Sequence, residues 1–307
     1  MGTPDFAVAS LRALVEAGAN VVAVVTMPDK PMGRHQDTLQ PSAVKRYALA
    51  VGLPVLQPAN LKDEVFIEEL RALQPDLGVV VAFRMLPEAV WSLPRLGTFN
   101  LHASLLPQYR GAAPINWAII NGERQTGVTT FFLKHAIDTG NIIFQRTTPI
   151  TDADTAETLH DRLMAMGAEL VVETARAIAH GTPAVTPQRD DVPLHAAPKI
   201  FKDTCRIDWH TSGREVFNFV RGLSPYPAAW TTLVTGEKRT ELKIFSTKFE
   251  PAAHGRAIGS IDTEQGMRVA VSDGFVSVGE LQPAGRRRMA AADYLRGLRT
   301  EGVLMME

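Results

Sequence analysis

The chain has 307 residues, enough for two domains with a core in each, and its 45% hydrophobic and 21% charged content is that of an ordinary globular protein. No run of about 18 apolar residues exists, which excludes a membrane-spanning helix, and Met1-Gly2-Thr3-Pro4-Asp5 lacks the basic and apolar regions of a signal peptide. The single cysteine, Cys205, excludes an internal disulfide and fits a reducing cytoplasm, and a net charge of −1 confines any nucleic-acid contact to local patches.

In chain order, Phe6–Glu16 reads as an amphipathic helix with Thr3 or Asp5 as its cap, closed by Gly18. Val21–Val25 is a short buried strand. Residues 41–51 are helical, Pro54–Leu56 is a strand, Asp63–Leu73 is a helix, and Leu77–Ala82 and Thr98–His102 are strands. Pro114–Asn121 is helical, Gly127–Phe132 and Asn141–Thr147 are strands, and Ala156–His180 is a long helix. This alternation predicts an α/β domain, a Rossmann-like and mostly parallel sheet covered on both faces, with ligands at the carboxyl ends of its strands. Such a sheet normally opens with a strand, whereas this chain opens with a turn and a helix. A missing central first strand would be severely destabilising.

Residues 181–200 are proline-rich and aperiodic, which predicts a linker. After it come a helix at about 211–222 and strand-like runs at Ala229–Thr235, Leu242–Phe249, Ile258–Asp262, Met267–Val271 and Phe275–Leu281. Five short strands suggest a smaller C-terminal β-barrel, OB-like. The expected division is a catalytic domain over 1–182, a linker over 183–202 and a second domain over 203–307.

The chemistry concentrates in Phe99-Asn100-Leu101-His102-Ala103-Ser104-Leu105-Leu106-Pro107 and in Asp138-Thr139-Gly140. Asn100 and His102 share a face of their strand. If Asp138 comes alongside, the trio can donate to an oxyanion, shuttle a proton and orient the imidazole. With no obvious nucleophile, direct transfer between two bound substrates is favoured over a covalent intermediate. His102 alone reads equally well as a core histidine, and Asp138 as a turn residue. Phe83, Arg84 and Leu86 follow a strand and fit either packing or a flat pocket. The Pro28–Gln40 loop and its surroundings carry Lys30, Arg34, Lys45 and Arg46, suited to phosphates; Arg286-Arg287-Arg288 is a basic run of a kind more often a solvated turn than a binding site. P-loop, GxGxxG, HExxH and CxxC patterns are absent, so neither the common nucleotide signatures nor a zinc site is expected.

Asn100–Pro107, Arg110-Gly111-Ala112-Ala113-Pro114-Ile115, Thr126-Gly127-Val128-Thr129 and Asp138-Thr139-Gly140 together resemble the folate-dependent formyltransferase family. Gly2–Phe6, Arg206-Ile207-Asp208-Trp209 and Leu281–Met289 extend the resemblance over essentially the whole chain, to the branch of methionyl-tRNA formyltransferases. The resemblance implies a formyltransferase fold, transfer of the formyl group of 10-formyltetrahydrofolate to the α-amine of methionyl-initiator-tRNA, no metal, and a cytoplasmic monomer. It implies Asn100 and protonated His102 as oxyanion donors, with Asp138 orienting the imidazolium. The pterin would sit against Phe83, Arg84 and Leu86, with Ser104, Leu105, Leu106 and Pro107 shaping the folate side. The tRNA would meet Arg34, Lys30 and Lys45 of the inserted-loop region and Arg286, Arg287 and Arg288 of the C-terminal domain. A family member acting on a small amine, a sugar nucleotide or glycinamide ribonucleotide, is the alternative. Two segments depart from the pattern: Gly33-Arg34-His35-Gln36-Asp37 lacks a lysine pair, and Phe83-Arg84-Met85-Leu86-Pro87 stands where many members have Tyr-Gly before Leu-Pro.

Overall fold

The computed structural model describes residues 1–32, 38–181, 183–298 and 304–307. They form two compact units: Met1–Gly111, Thr126–Thr148 and His160–Ala196 in the first, and Ala112–Gln125, Pro149–Leu159 and Ala197–Glu307 in the second. No helix among the described residues is long and apolar enough to cross a membrane.

In the first unit, strands β1 (Val24–Val25) and β2 (Val55–Leu56) pair in parallel, as do β3 (Gly78–Val81) and β4 (Thr98–His102). Met1 and Gly2 lie between the two pairs. The Gly2 amide donates to Val25 O at 3.1 Å, the Val81 amide donates to Met1 O at 2.9 Å, and the terminal amine donates to Val79 O at 2.7 Å. On its other side β4 pairs antiparallel with β5 (Gln125–Phe132), which β6 (Ile142–Pro149) flanks. The sheet is therefore parallel up to β4 and changes direction at β5.

Helices Asp5–Glu16, Ala43–Ala50, Glu64–Ala72 and Ala156–His180 form where the apolar spacing calls for them. Ser42 and Asp63 cap the second and third through their side chains. The expected Thr3 or Asp5 cap of the first is not made: its N-cap is Pro4, and Asp5 lies in the first turn. Val25, Leu61, Phe66, Leu70, Val80, Leu86 and Val90 make one core. Phe99 and Leu101 are buried on the β4 face opposite to Asn100 and His102. Burying two such side chains contributes roughly 1.5–3 kcal/mol each and fixes which way the strand's polar pair points. A two-stranded ribbon, Lys30–Met32 against Thr38–Gln40, was unmarked in the sequence pattern.

In the second unit, helix Gly213–Leu223 starts with a capping box between Ser212 and Glu215 and buries Val216, Val220 and Leu223. It packs on a sheet ordered Ile261–Asp262, Arg268–Val271, Gly274–Pro283, Lys238–Pro251, Ala229–Thr235, Leu304–Met306. The last of these, too short to read from its sequence, also bridges Ser260 through Met305, and the Met306 amide donates to Gly259 O at 2.8 Å. That pairing brings the two ends of the sheet together as a barrel. A register shift between Ile244 and Ser246 bends the longest strand.

Arg221 on the helix is buried at 7% exposure. Its Nη1 donates to Thr151 O and Asp154 O at 2.8 and 3.0 Å, and its Nε to Asn218 Oδ1 at 2.9 Å. Burial lowers its pKa from the ordinary value. Arg221→Lys keeps the charge but cannot supply the same fork, so it leaves buried acceptors unpaired. The expected cost is about 2 kcal/mol, read as a lower urea midpoint at unchanged slope.

Candidate active site

β4 presents Asn100 and His102 on one face, with Val80 and Phe131 opposite Asn100 and Thr129 opposite His102. Asn100 is half-buried, and its carboxamide makes no hydrogen bond among the described residues. His102 is 6% exposed. Its Nε2 lies 2.8 Å from Tyr109 O, and its Nδ1 lies 3.8 Å from Asp138 Oδ2. A carbonyl can only accept, so Tyr109 O assigns the hydrogen to Nε2 and leaves the neutral ring's lone pair at Nδ1, on the side of Asp138. The Asp138 carboxylate is also held by the Gly111 amide, which donates to Oδ2 at 3.0 Å.

The structure thus brings the three expected catalytic residues together. With Nε2–H engaged by Tyr109 O, the donor that a protonated His102 has left to offer is Nδ1–H, on the side of Asp138. Three non-glycine residues around the trio have left-handed backbones: Ala82 (φ 45°) just beyond β3, Tyr109 (φ 61°) and Asp138 (φ 55°). Each such conformation costs of order 1 kcal/mol and persists where its surroundings over-determine it.

Ser104–Pro107 is clamped from β5 and β6. Thr129 Oγ1 donates to Ser104 O at 2.7 Å while accepting from the Leu106 amide at 3.2 Å and from Gln145 Nε2 at 2.9 Å. Gln145 Nε2 also donates to Leu106 O at 2.9 Å. Ser104 and Leu106 are buried, so only Leu105 and Pro107 keep surface to offer a ligand. Of the expected pterin residues, Leu86 belongs to the core and Phe83 packs at its edge. Arg84 donates to Ala59 O and Pro58 O at 2.9 and 2.5 Å and stacks near the Phe83 ring, 5.8 Å from its centroid.

The expected tRNA residues separate by environment. Lys30 is exposed on the ribbon, and Arg34 lies outside the described residues. Lys45 is bound to Asp29 Oδ2 at 2.7 Å, while Gln57 Nε2 donates to Asp29 Oδ1 at 2.7 Å and to Met27 O at 2.8 Å. The Lys45 and Gln57 hydrogen bonds hold the Asp29 carboxyl below its usual range. Lys45 therefore braces the root of the ribbon. In the second unit Arg286 and Arg287 are exposed with no ion pair among the described residues. Arg288 pairs with Glu280 at 2.5 Å and covers the Phe245 ring. Sequence reasoning missed Tyr109, whose contribution is a backbone carbonyl, and Gln188, which lies in the expected linker and touches the Asp138 loop.

An amide and an imidazole at the end of a parallel strand, with a carboxylate brought beside them by a loop, form an arrangement that suits direct group transfer. Residues 1–175 match the formyl transferase family and residues 199–299 match the formyl transferase C-terminal domain, and the chain belongs to this family. A protein named methionyl-tRNA formyltransferase from Parabacteroides distasonis is 63% identical over 306 residues, covering 97% of this chain and 94% of its own length. One of the same name from Flavobacterium johnsoniae is 50% identical over 299 residues, covering 97% and 95%. Among solved structures, an N-formyltransferase from Helicobacter canadensis, in complex with folinic acid and dTDP-3-aminofucose, has a TM-score of 0.66 at 22% identity and covers 94% of this chain and 97% of its own. HypX from Aquifex aeolicus in complex with tetrahydrofolic acid has a TM-score of 0.58 at 22% identity; this chain spans 45% of it. These two likenesses show the fold: a Rossmann-like domain followed by a barrel-like antiparallel sheet.

Proposed function

We propose that this enzyme transfers the formyl group of 10-formyltetrahydrofolate to the α-amine of methionyl-initiator-tRNA, giving N-formylmethionyl-tRNA for translation initiation. The observation that carries this reading is the identity of 50–63% to proteins named methionyl-tRNA formyltransferase, extending over 97% of the chain. Catalysis is assigned to a domain over residues 1–182 and tRNA binding to an OB-like domain over 203–307, joined through 183–202. The enzyme works as a cytoplasmic monomer; a single cysteine, Cys205, buried and free of any disulfide, fits a reducing compartment.

The amine attacks the formyl carbon, the carbonyl oxygen gains the negative charge, the bond to folate N10 breaks, and the proton lost by the amine ends on N10. Asn100, whose amide is free to donate, stabilises the oxyanion. His102 accepts the amine's proton at Nδ1, since Nε2–H is held by Tyr109 O. Asp138, 3.8 Å away, stabilises the imidazolium until it hands the proton to the leaving nitrogen. The surfaces of Leu105, Pro107 and Phe83 line the folate side, with Ser104, Leu106, Arg84 and Leu86 supporting them from behind.

The direct test is formyl transfer from 10-formyltetrahydrofolate to initiator methionyl-tRNA, beside elongator methionyl-tRNA, free methionine and a dTDP-amino sugar. Transfer to the initiator alone is expected; preference for the sugar would replace this reading with the small-amine one. The tRNA-binding role is assigned to Arg34, Lys30, Arg286 and Arg287 first, with Lys45 and Arg288 acting mainly through their partners. R286A/R287A should lower the slope of log affinity against log salt by about 0.7–0.9 for each phosphate that is no longer neutralised, and R288A by less. Equal slopes in all three proteins would remove the arginine run from the tRNA interface.

A further inference from the structure

The segment after helix Ala156–His180 reads as a linker, yet it crosses the catalytic loops as a strap. Thr186 and Ile142 exchange both backbone hydrogen bonds, at 2.8 and 2.9 Å. Two residues on, the half-buried carboxamide of Gln188 joins two loops. Its Nε2 donates to Asp138 O at 2.7 Å and to Gly140 O at 2.8 Å. Its Oε1 accepts from Arg110 Nε at 3.0 Å and Nη2 at 2.7 Å. The remaining Arg110 nitrogen, Nη1, pairs with Asp190 at 2.9 Å. Further along, Gln108 and the strap exchange hydrogen bonds: Gln108 Nε2 donates to Pro193 O at 2.9 Å, and the His195 amide donates to Gln108 Oε1 at 2.9 Å. The Tyr109 amide donates to His195 O at 2.7 Å.

The orientation of the Gln188 amide is fixed by its partners. Turning it over would set its oxygen against two carbonyls and its NH2 against a guanidinium. Both of its donors and two lone pairs are used, so the side chain is saturated where it stands. The residue it grips, Asp138, has a left-handed backbone and has no backbone hydrogen bond of a strand or helix to hold it. The position of its carboxylate relative to His102 Nδ1 depends on that loop staying in place.

We infer that Gln188 is a positioning residue of the formyl-transfer site, tying the Asp138–Gly140 loop to Arg110 so that the Asp138 carboxylate faces His102. This inference rests on the catalytic reading of Asp138 given above. The strap also holds Tyr109, whose carbonyl fixes the His102 tautomer, so one segment sets both partners of the imidazole.

Q188E is the discriminating variant. It keeps an acceptor for Arg110 and removes both donors to the loop; Q188A, which removes both halves of the bridge, is the second. Two readouts separate position from chemistry. The Gly111 amide donates to Asp138 Oδ2, so its NMR resonance reports where the carboxylate sits, independent of turnover. The second readout is kcat and KM, measured in the wild-type and D138N backgrounds. We expect both variants to shift the Gly111 resonance and lower kcat about tenfold to hundredfold with KM values unchanged, since misplacing a catalytic group by about 1 Å costs that much. In D138N the same substitutions should cost no further activity, because the group they position is already disabled. An unmoved Gly111 resonance, wild-type kcat in Q188E, or an equal fold-loss in the D138N background would each overturn the inference. Wild-type turnover in D138N alone is a different failure: it overturns the role of Asp138 itself, whatever the Gly111 amide does.

Discussion

Asp138→Asn yields a protein that melts like the parent, binds initiator tRNA with near-parental affinity, and turns over about 10²–10⁴-fold more slowly, the usual contribution of a positioned acid–base group. The substitution is nearly isosteric. Asn keeps an oxygen to accept from the Gly111 amide, so the loop retains that anchor. What disappears is the negative charge 3.8 Å from His102 Nδ1, at the moment when the ring becomes an imidazolium. The loss belongs to kcat, because ground-state binding needs no charge on His102. His102→Ala should cost at least as much, but it also strips the donor from Tyr109 O and releases a left-handed residue, so its melting temperature should fall as well. Turnover of D138N within tenfold of wild type would sink the mechanism. A parallel loss of tRNA affinity would mean that the residue shapes the binding surface instead.

How much of this was legible in the sequence depended on the range of each interaction. Strand Thr98–His102 was readable to the residue because polar and apolar residues alternate over its five positions, and the shared face of Asn100 and His102 follows from the period of a strand. The reach of Asp138 was not readable: it depends on a loop closing over the end of β4, which no local pattern encodes. Tyr109 was invisible because any residue carries a carbonyl. Gln188 was invisible because its partners lie 48 to 78 positions away in an aperiodic stretch. Lys45 looked like a free cation because its ion pair with Asp29 spans 16 positions. Sequence could count the charges of the basic stretches, but only the fold separates exposed Arg287 from Arg288 beside Glu280. Leu304–Met306 is too short for a pattern, and it takes part in closing the barrel only because Leu233–Thr235 on one side and Gly259 on the other offer it backbone partners.

Gly140→Ala should unfold the first unit more readily and disable the site together. A Cβ built on Gly140 would lie 1.5 Å from Phe132 O and 2.8 Å from Phe132 C, inside the covalent shell of the β5 backbone. The obstacle is main chain in a paired strand, not the end of a flexible side chain, so the loop must yield. The Phe132 amide donates to Asn141 O at 3.0 Å, and Gly140 O accepts from Gln188 at 2.8 Å; a retreat of the loop stretches both. The expected cost is about 3 kcal/mol or more, at the upper end for overpacking. At roughly 2–4 °C per kcal/mol this lowers Tm by roughly 6–12 °C. The retreat also carries Asp138, two residues earlier, away from His102, so kcat should fall toward the D138N value. In the G140A/D138N double variant the Tm loss should persist in full while the activity loss does not grow, since the methyl group acts on turnover only through the carboxylate. Calorimetry with turnover on initiator methionyl-tRNA reads both effects. A Tm unchanged from wild type would show that the loop accommodates a side chain, and the requirement for glycine in Asp138-Thr139-Gly140 would then need a source other than the close approach to β5.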